Sequence, residues 1–387
     1  MSRILIFYQK YLKGLAVVTF PGTRWGARAT ASQRLDQLSR LWPAVIALVL
    51  GLALTACGSG KASPQWKLSE RTGPKGDASW QKLVRDAKSE GEVVVYTAHA
   101  EDTMSQLATA FKKKYGIKVR VFRAADSDLE PKIDAEAKTG NRVADMVGMS
   151  DENYLKTKSA EGAFIAPRGP ALNASGFDRK ANTLVPHVVR SAATTMSYAW
   201  NTERYPKGLK GFRDLLDPKL SGGKIGILAP FTPSVMDFYT YLEKRYGADY
   251  LEKLAQQKPR IYQAGAAMSE GLASGEISAA TQVAQVALYQ AKDSGAPVDG
   301  GLAHPAWAAS FYEGVLKGAK HPNAAQLLMN YMFSPAGQEI LAHRIASVLP
   351  DIPGVATTAD KTTTGGVMTA SPERFRAFVD KFNKTFR

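Results

Sequence analysis

The feature that most restricts the fold of this chain is a short apolar run followed by a helical pattern and then an alternating one. Residues 93–96 read Val-Val-Val-Tyr, which is typical of a strand buried on both faces. Residues 104–115 carry apolar side chains at helical spacing and end at Gly116. Residues 117–121 then alternate Ile, Val and Val with Lys and Arg. This order predicts a βαβ unit, and hence a parallel sheet covered by helices.

The alternation of strands and helices continues along the chain. We expect a helix over 129–139, a strand over 144–149, and a strand over 224–228. Thr232 then suits the cap of a helix with Pro233 at its first position. The other predicted helices cover 79–89, 270–274, 279–291 and 323–333, and two more start at Ser334 and Ser371. The pattern predicts an α/β protein, whose ligand sites lie at the carboxyl ends of parallel strands.

The cysteine count and the charge limit the classes of function. Cys57 is the single cysteine, so no disulfide within the chain and no zinc site with two cysteine ligands is possible. The net charge is +15, and it falls to +9 without residues 1–56. Such a surplus fits an anionic ligand, an acidic membrane surface or a soluble surface. No run of Lys and Arg interleaved with aromatic residues occurs, so no nucleic-acid partner is predicted.

An export signal is indicated before Cys57. Residues 41–56 are apolar except for Thr55, and they follow Arg34 and Arg40. A run of this length is too short to span a bilayer, but it suits the core of a signal peptide. We therefore interpret residues 1–56 as a leader segment.

The end of this leader, Leu54-Thr55-Ala56-Cys57, resembles a bacterial lipobox. The resemblance implies cleavage before Cys57 and lipidation of that cysteine. Residues 57–78 would then be the lipidated cysteine and a flexible tether, since they hold Gly, Ser, Pro and charges with little apolar periodicity. The alternative is a buried helix that ends in an incidental cysteine.

Several segments from about residue 80 to about 345 resemble the type 2 periplasmic-binding superfamily. The resemblance is to its extracellular solute-binding group, which contains ferric-iron, thiamine, polyamine-like and phosphonate binders. The stretches 317–325 and 334–338 are the most characteristic. The remaining carriers are 90–97, 111–119, 144–145 and 214–219.

The resemblance implies two α/β lobes joined by crossing strands, with a ligand cleft between them. The first lobe would hold 79–195 and 300–355, the second 196–299, and residues 356–387 would form a C-terminal loop and helix. The implied function is an exported, monomeric receptor, lipid-anchored at the outer face of the cytoplasmic membrane or periplasmic. It would deliver a small solute to the permease subunits of an ABC importer and would need no cofactor.

The ligand class is inferred from the same resemblance. Iron-binding relatives use adjacent tyrosines with a His or carboxylate, because Fe(III) prefers anionic oxygen donors. The tyrosine pair would fall at 281–284, which holds no tyrosine, and the carboxylate would fall at Ser150. His99 is displaced by about one position from the family's histidine. We therefore expect no resident metal and favour a small organic anion or phosphonate-like compound, with ferric iron as the alternative.

The residues expected at the cleft are small and polar, because hydroxyls and backbone N–H groups at helix starts favour carboxylate and phosphate groups. Capping alone would explain Ser127 and Ser234, and hinge packing would explain Tyr198. The predicted ligand-binding residues are Thr97, Ala98, His99, Ser127, Ser150, Tyr198, Thr232, Ser234 and Gln282.

Two other classes of function remain open at this stage. An enzyme is not predicted, because the chain has neither a His-Glu-x-x-His zinc motif nor a Gly-x-Ser-x-Gly elbow. A sensor subunit that signals to a membrane kinase would use the same closing lobes as a transport receptor. The sequence does not separate these two uses.

Overall fold

One long strand, β6, passes through two sheets in the computed structural model, which describes residues 76–386. The strands are β1 (Glu92–Thr97), β2 (Lys118–Arg123), β3 (Met146–Met149), β4 (Phe164–Ile165), β5 (Thr183–Val185), β6 (Val188–Asn201), β7 (Ile225–Leu228), β8 (Arg260–Tyr262), β9 (Ala279–Ala284), β10 (Val298–Gly301), β11 (Ala306–Leu316), β12 (Ala346–Ser347), β13 (Thr357–Thr358) and β14 (Thr362–Thr363). The helices are α1 (Ala78–Glu90), α2 (Glu101–Tyr115), α3 (Asp126–Thr139), α4 (Glu152–Ala160), α5 (Pro233–Tyr246), α6 (Tyr250–Gln256), α7 (Gly265–Ala273), α8 (Gln285–Asp293), α9 (Pro322–Met332), α10 (Pro335–Leu341) and α11 (Pro372–Phe386).

The first sheet contains the βαβ unit predicted from the sequence. Strands β2, β1 and β3 are parallel, β11 lies antiparallel beside β3, and the first part of β6 lies antiparallel beside β11. The buried core on one face includes Val95, Phe111 and Leu328, and the core on the other face includes Leu129 and Leu155. Each large apolar side chain buried in this way stabilises the fold by about 1.5–3 kcal/mol. We call this part of the molecule the first half.

The second sheet is built on the last part of β6. Strand β9 pairs antiparallel with β6, while β7 and β8 continue the sheet parallel to β9. Its core packs Phe212, Phe238 and Trp307 together with edge-on ring contacts at 5.6 Å between centroids. We call this part the second half. No helix within residues 76–386 is both long and apolar enough to cross a bilayer.

Most predicted helices and strands are confirmed, but the helix expected over 279–291 is wrong in its first half. Residues 279–284 form β9, and the helix α8 starts only at Gln285. Five of the six residues of β9 are buried, because the strand lies between β6 and β7 inside the sheet. A short run buried on both faces has no periodicity that separates a strand from a helix.

The helix starts predicted at Thr232 and Ser334 are confirmed. Thr232 Oγ1 accepts a hydrogen bond from the backbone N–H of Val235, and Ser334 Oγ accepts one from Gly337. Both helices have proline at the first position, where the missing N–H costs no hydrogen bond.

The C-terminal segment is fastened to the second half by a buried carboxylate. Asp237 of α5 is fully buried and accepts hydrogen bonds from Trp307 Nε1 at 2.7 Å and from the backbone N–H groups of Gly365 and Val367 at 2.5 Å. Strand β14 pairs with the start of β11, and Phe382 of α11 is buried in the second core. These donors compensate for the burial of the Asp237 side chain.

Candidate functional site

The carboxyl ends of the two sets of parallel strands point toward the middle of β6. Strand β6 runs in the same direction as β3, since both are antiparallel to β11. Met149 at the end of β3 lies opposite Tyr312, which lies opposite Arg190 of β6. Ala284 at the end of β9 lies opposite Met196. The stretch of β6 between Arg190 and Met196 spans roughly 20 Å, so a cleft between the two edges is the candidate site.

A buried polar cluster lies at the carboxyl edge of the first half. Glu313 of β11 is fully buried, and its Oε1 accepts hydrogen bonds from His99 Nε2 at 2.8 Å and from Ser191 Oγ at 2.9 Å. The His99 ring is 3% exposed and stacks on Phe311 at 4.1 Å between centroids. The other carboxylate oxygen, Oε2, has no hydrogen-bond partner among the described residues. An unpaired buried oxygen is costly, which marks it as a possible acceptor for a ligand donor.

Gly148 packs directly against the same cluster. A Cβ at Gly148 would lie 2.6 Å from Glu313 Oε2 and 2.9 Å from Thr97 Oγ1. Thr97 is fully buried, and its Oγ1 accepts the backbone N–H of His99 at 3.1 Å. Ala98 donates its backbone N–H to the Gly148 carbonyl at 2.8 Å. Of the predicted residues, Thr97, Ala98 and His99 therefore lie together at this edge.

Thr232 and Ser234 lie at the carboxyl edge of the second half. They follow β7 at the start of α5, and their hydroxyl oxygens are 2.8 Å apart. The neighbouring Phe231 is 48% exposed, which is unusual for a large apolar side chain. The predicted pair of hydroxyls is thus present, although the Thr232 hydroxyl is also the helix cap.

A second set of buried polar groups lies where β6 meets β9. Ser197 Oγ donates to Gln285 Oε1, and both residues are buried. Gln282, predicted as a ligand-binding residue within a helix over 279–291, lies inside β9 and is 4% exposed, and its Oε1 has no partner among the described residues. Thr195 of β6 is fully buried, and its Oγ1 is also without a partner in that part of the chain. Thr195 was not predicted from the sequence, since isolated threonines are common in strands.

The two carboxyl edges differ in charge. In the first half, α2, α3 and α4 all begin with acidic residues, namely Glu101, Asp102, Asp126, Asp128 and Glu152. Burial raises the pKa of Glu130 to about 7, and the carboxylates of Asp151, Asp126 and Asp134 add to this rise. In the second half, α5, α7 and α8 have no acidic residue in their first turn, and α7 and α8 have no side-chain cap. Their free N–H groups favour an anion.

Arg190 is a charged residue at the first edge that sequence reasoning missed. Its Nε donates to Asn182 Oδ1 at 2.9 Å and one Nη to the Ala181 carbonyl at 3.3 Å. Burial lowers the pKa of Arg190, while Tyr312, Asp360 and Glu152 act in the opposite direction. No carboxylate among the described residues forms an ion pair with Arg190. A single arginine within an apolar strand pattern gives no sequence signal of such a position.

Of the other predicted residues, Ser150 and Tyr198 have structural contacts that account for them. Ser127 is exposed in the first turn of α3. Ser150 donates its N–H and Oγ to Asp126 Oδ2, at 3.0 and 2.5 Å. Tyr198 donates to the Lys210 carbonyl at 3.1 Å and packs edge-on against Phe212 in the second core. Tyr198 therefore contacts the core of the second half, and this packing explains it without a ligand.

No three His, Cys, Asp or Glu side chains within residues 76–386 form a group able to hold a metal ion. Cys57, the predicted site of lipidation, lies outside the described residues.

Comparison with known proteins identifies the kind of protein that shares these features. The family model described as bacterial extracellular solute-binding protein matches residues 93–344, more than half of the chain. An uncharacterized protein of Haemophilus influenzae is 24% identical over 270 residues, which are 66% of this chain and 76% of that protein.

Two solved structures show the same fold. Iron-bound HitA from Pseudomonas aeruginosa has a TM-score of 0.56 and 18% identity, covering 76% of this chain and 98% of that one. The substrate-binding protein of an ABC transporter from Agrobacterium tumefaciens has a TM-score of 0.60 and 16% identity, covering 76% of this chain and 94% of that one. The predicted α/β fold of the periplasmic binding proteins is thereby confirmed.

The raised pKa of Glu130 predicts a stability that depends on pH. The folded state binds this proton more tightly than the unfolded state, so stability falls as pH rises from about 4.5 to about 7. Glu130→Gln should raise Tm above pH 7 by about 2–4 °C, which corresponds to about 1 kcal/mol after solvent screening. Below pH 4.5 the variant and the wild type should melt together, since both side chains are then neutral.

Thermal melts across this pH range measure the effect. Glu252→Gln on the exposed face of α6 is the control, and it should give no such pH-dependent difference. Equal Tm values for Glu130→Gln and wild type at every pH would contradict the assignment.

Proposed function

The chain belongs to the bacterial extracellular solute-binding protein family, and on this premise we propose that it is a lipid-anchored receptor that delivers a small organic anion to an ABC importer. Membership of this family confirms that the chain is a binding protein rather than an enzyme. The observation that carries the proposal is the pair of carboxyl edges that face each other across the middle of β6.

The two halves would act as lobes that close on the solute. Strands β6 and β11 join them, so a small change of backbone angles between Arg190 and Met196 would move one edge toward the other. In this proposal the first lobe holds residues 79–195 and 300–355, and the second holds 196–299. Closure would create the shape that the permease subunits recognise.

The anionic group of the ligand is assigned to the second half. Helices α5, α7 and α8 start at the ends of β7, β8 and β9 with no acidic residue in their first turns. Thr232 and Ser234 add hydroxyl donors there. A carboxylate or phosphate group at this edge would meet free N–H groups and no opposing negative charge.

The rest of the ligand would face the acidic edge of the first half, and this suits groups that donate hydrogen bonds. Glu313 Oε2 and Asp126 Oδ1 are buried oxygens without a partner in the described part of the chain. Hydroxyl groups of a ligand would satisfy them, whereas a second anionic group would be repelled. A hydroxylated organic anion therefore fits both edges better than a plain dicarboxylate.

Ferric iron is the second candidate solute, and one observation favours it. HitA, whose fold this chain shares, is an iron-bound protein, and the carboxylates of the first edge are the hard oxygen donors that Fe(III) prefers. Against iron, His99 Nε2 is already bonded to Glu313, and residues 281–284 contain no tyrosine.

A thermal-shift screen of residues 58–387 tests the proposal. The probes are citrate, gluconate, a sugar phosphate, a phosphonate, a polyamine and Fe(III). A solute that binds only the folded state should stabilise it by about 2.7 kcal/mol at a hundredfold excess over Kd. Ser234→Ala should weaken binding of an organic anion about tenfold, because one charge-assisted hydrogen bond is lost.

Ser371→Ala at the start of α11 is the matched control, since it also removes a serine from a helix start. It should leave the affinity unchanged. Stabilisation by Fe(III) alone would select the second candidate. A chain that responds to none of these solutes would contradict the proposed function.

The lipid anchor has its own test. Cells that express the full chain are fed a radiolabelled fatty acid, and the protein is isolated and analysed by mass. The wild type should carry the label and begin at Cys57, whereas Cys57→Ala should carry no label and keep its leader. A label that persists in Cys57→Ala would place the lipid elsewhere.

A further inference from the structure

The first half carries a strongly basic surface at the edge opposite the cleft. Helices α1, α2 and α3 end where β1, β2 and β3 begin, and β11 ends at the same edge because it is antiparallel to β3. The backbone N–H of Lys118 bonds to the Gly91 carbonyl at 3.0 Å, so the start of β2 lies beside the end of α1. The exposed lysines of this edge include six that we consider below, namely Lys88, Lys112, Lys113, Lys118, Lys138 and Lys317. We call this surface the basic edge.

The carboxylates near this edge are already engaged. Glu90 accepts the backbone and side-chain N–H groups of Asn323, and Glu92 pairs with Arg120 at 3.6 Å. Asp145 is buried and bonded to His321. None of the six lysines forms an ion pair with a carboxylate of residues 76–386. Their positive charges are therefore uncompensated by protein groups in that range.

Helix dipoles explain only part of the basic edge. A lysine in the last turn of a helix is favoured by the negative end of the dipole, which accounts for Lys88, Lys112, Lys113 and Lys138. Lys118 begins a strand and Lys317 follows one, so neither lies in the last turn of a helix. The opposite edge of the same sheet is acidic, with Glu101, Asp102 and Asp126 at its helix starts. Positive charges therefore lie at the starts of the parallel strands of the first half, and negative charges lie at their carboxyl ends.

We infer that the basic edge binds the surface of an anionic phospholipid bilayer. The choice of a bilayer as the partner rests on the lipid anchor proposed above, because that anchor would hold the chain beside a membrane. In the lipid-anchor proposal twenty residues separate Cys57 from α1, and a tether of that length would have a typical span of roughly 25 Å. Helix α1, of 13 residues, adds about 20 Å between the tether and the basic edge. The anchored chain is therefore held at high effective concentration beside the headgroups.

The charge separation gives the bound protein an orientation. An anionic surface attracts the basic edge and repels the acidic one, so the cleft would face away from the bilayer while it waits for solute. Docking onto an importer would then require the molecule to leave the lipid surface and turn.

Vesicle binding of unlipidated residues 58–387 tests the inference without any contribution from the anchor. The described residues all lie in one compact unit, so this chain keeps the fold. It should bind vesicles of phosphatidylcholine that contain phosphatidylglycerol and should not bind pure phosphatidylcholine. Removing three charges by Lys112→Gln, Lys113→Gln and Lys118→Gln should lower the affinity about a hundredfold, at roughly fivefold for each cation.

A second triple variant, Lys180→Gln, Lys361→Gln and Arg374→Gln, removes the same charge from exposed positions elsewhere. It should keep the affinity of the wild type within about twofold. Equal losses in the two variants would overturn the inference, because net charge alone would then explain binding. So would a wild type that binds duplex DNA but not the anionic vesicles, or one that binds neither.

The solute screen run on the same variants separates this inference from the proposed function. The basic-edge variant should keep its Tm and its response to solute, since the changed residues lie away from the cleft. If the wild type binds vesicles but responds to no solute, the receptor function would be contradicted. Membrane binding by the basic edge would still be supported.

Discussion

The continuity of β6 through both sheets determines where a ligand can bind. Because β1 to β3 run parallel to β6 and β9 runs antiparallel to it, both sets of parallel strands end toward its centre. Helices follow those strand ends, and their N-termini therefore converge on the same region from two sides. If β6 were interrupted by a loop, the two edges would have no fixed relation to each other.

This arrangement buries several polar groups where the two halves meet, and burying polar groups is energetically unfavourable. Glu313 lies in β11 with no exposure, and His99 and Ser191 compensate for one of its two carboxylate oxygens. Removing His99 would take away one of the two donors to this buried oxygen, and the loss of a partner for a buried polar group typically costs about 1–3 kcal/mol. Groups of this kind persist where they serve binding, since an apolar junction would be easier to stabilise. The charge asymmetry of the two edges adds a preferred orientation of the ligand.

Sequence patterns predicted the α/β class, most of the helices and the strands β1, β2, β3 and β7, because strand and helix periodicities are local. They did not predict β6 or β11. Thr232 and Ser334 were found as helix caps from their residue type and the proline that follows. The strand β9 was missed because burial on both faces removes its periodicity. His99 was predicted to be a ligand-binding residue, but its buried hydrogen bond was not predicted, since its partner Glu313 is 214 residues away in the chain. Arg190 and Thr195 were missed for the same reason, because their environment depends on strand pairing.

Closure of the two halves around a solute is the central claim, and a distance between them measures it most directly. Residues 58–387 contain no cysteine, so Asp128→Cys on α3 and Ala267→Cys on α7 would carry the only two spin labels. Double electron–electron resonance then gives the distance between the labels with and without the solute found in the screen. Lobe closure predicts a mean distance that shortens by several ångströms and a narrower distribution when the solute binds. An unchanged distance in the presence of a bound, stabilising solute would contradict the account.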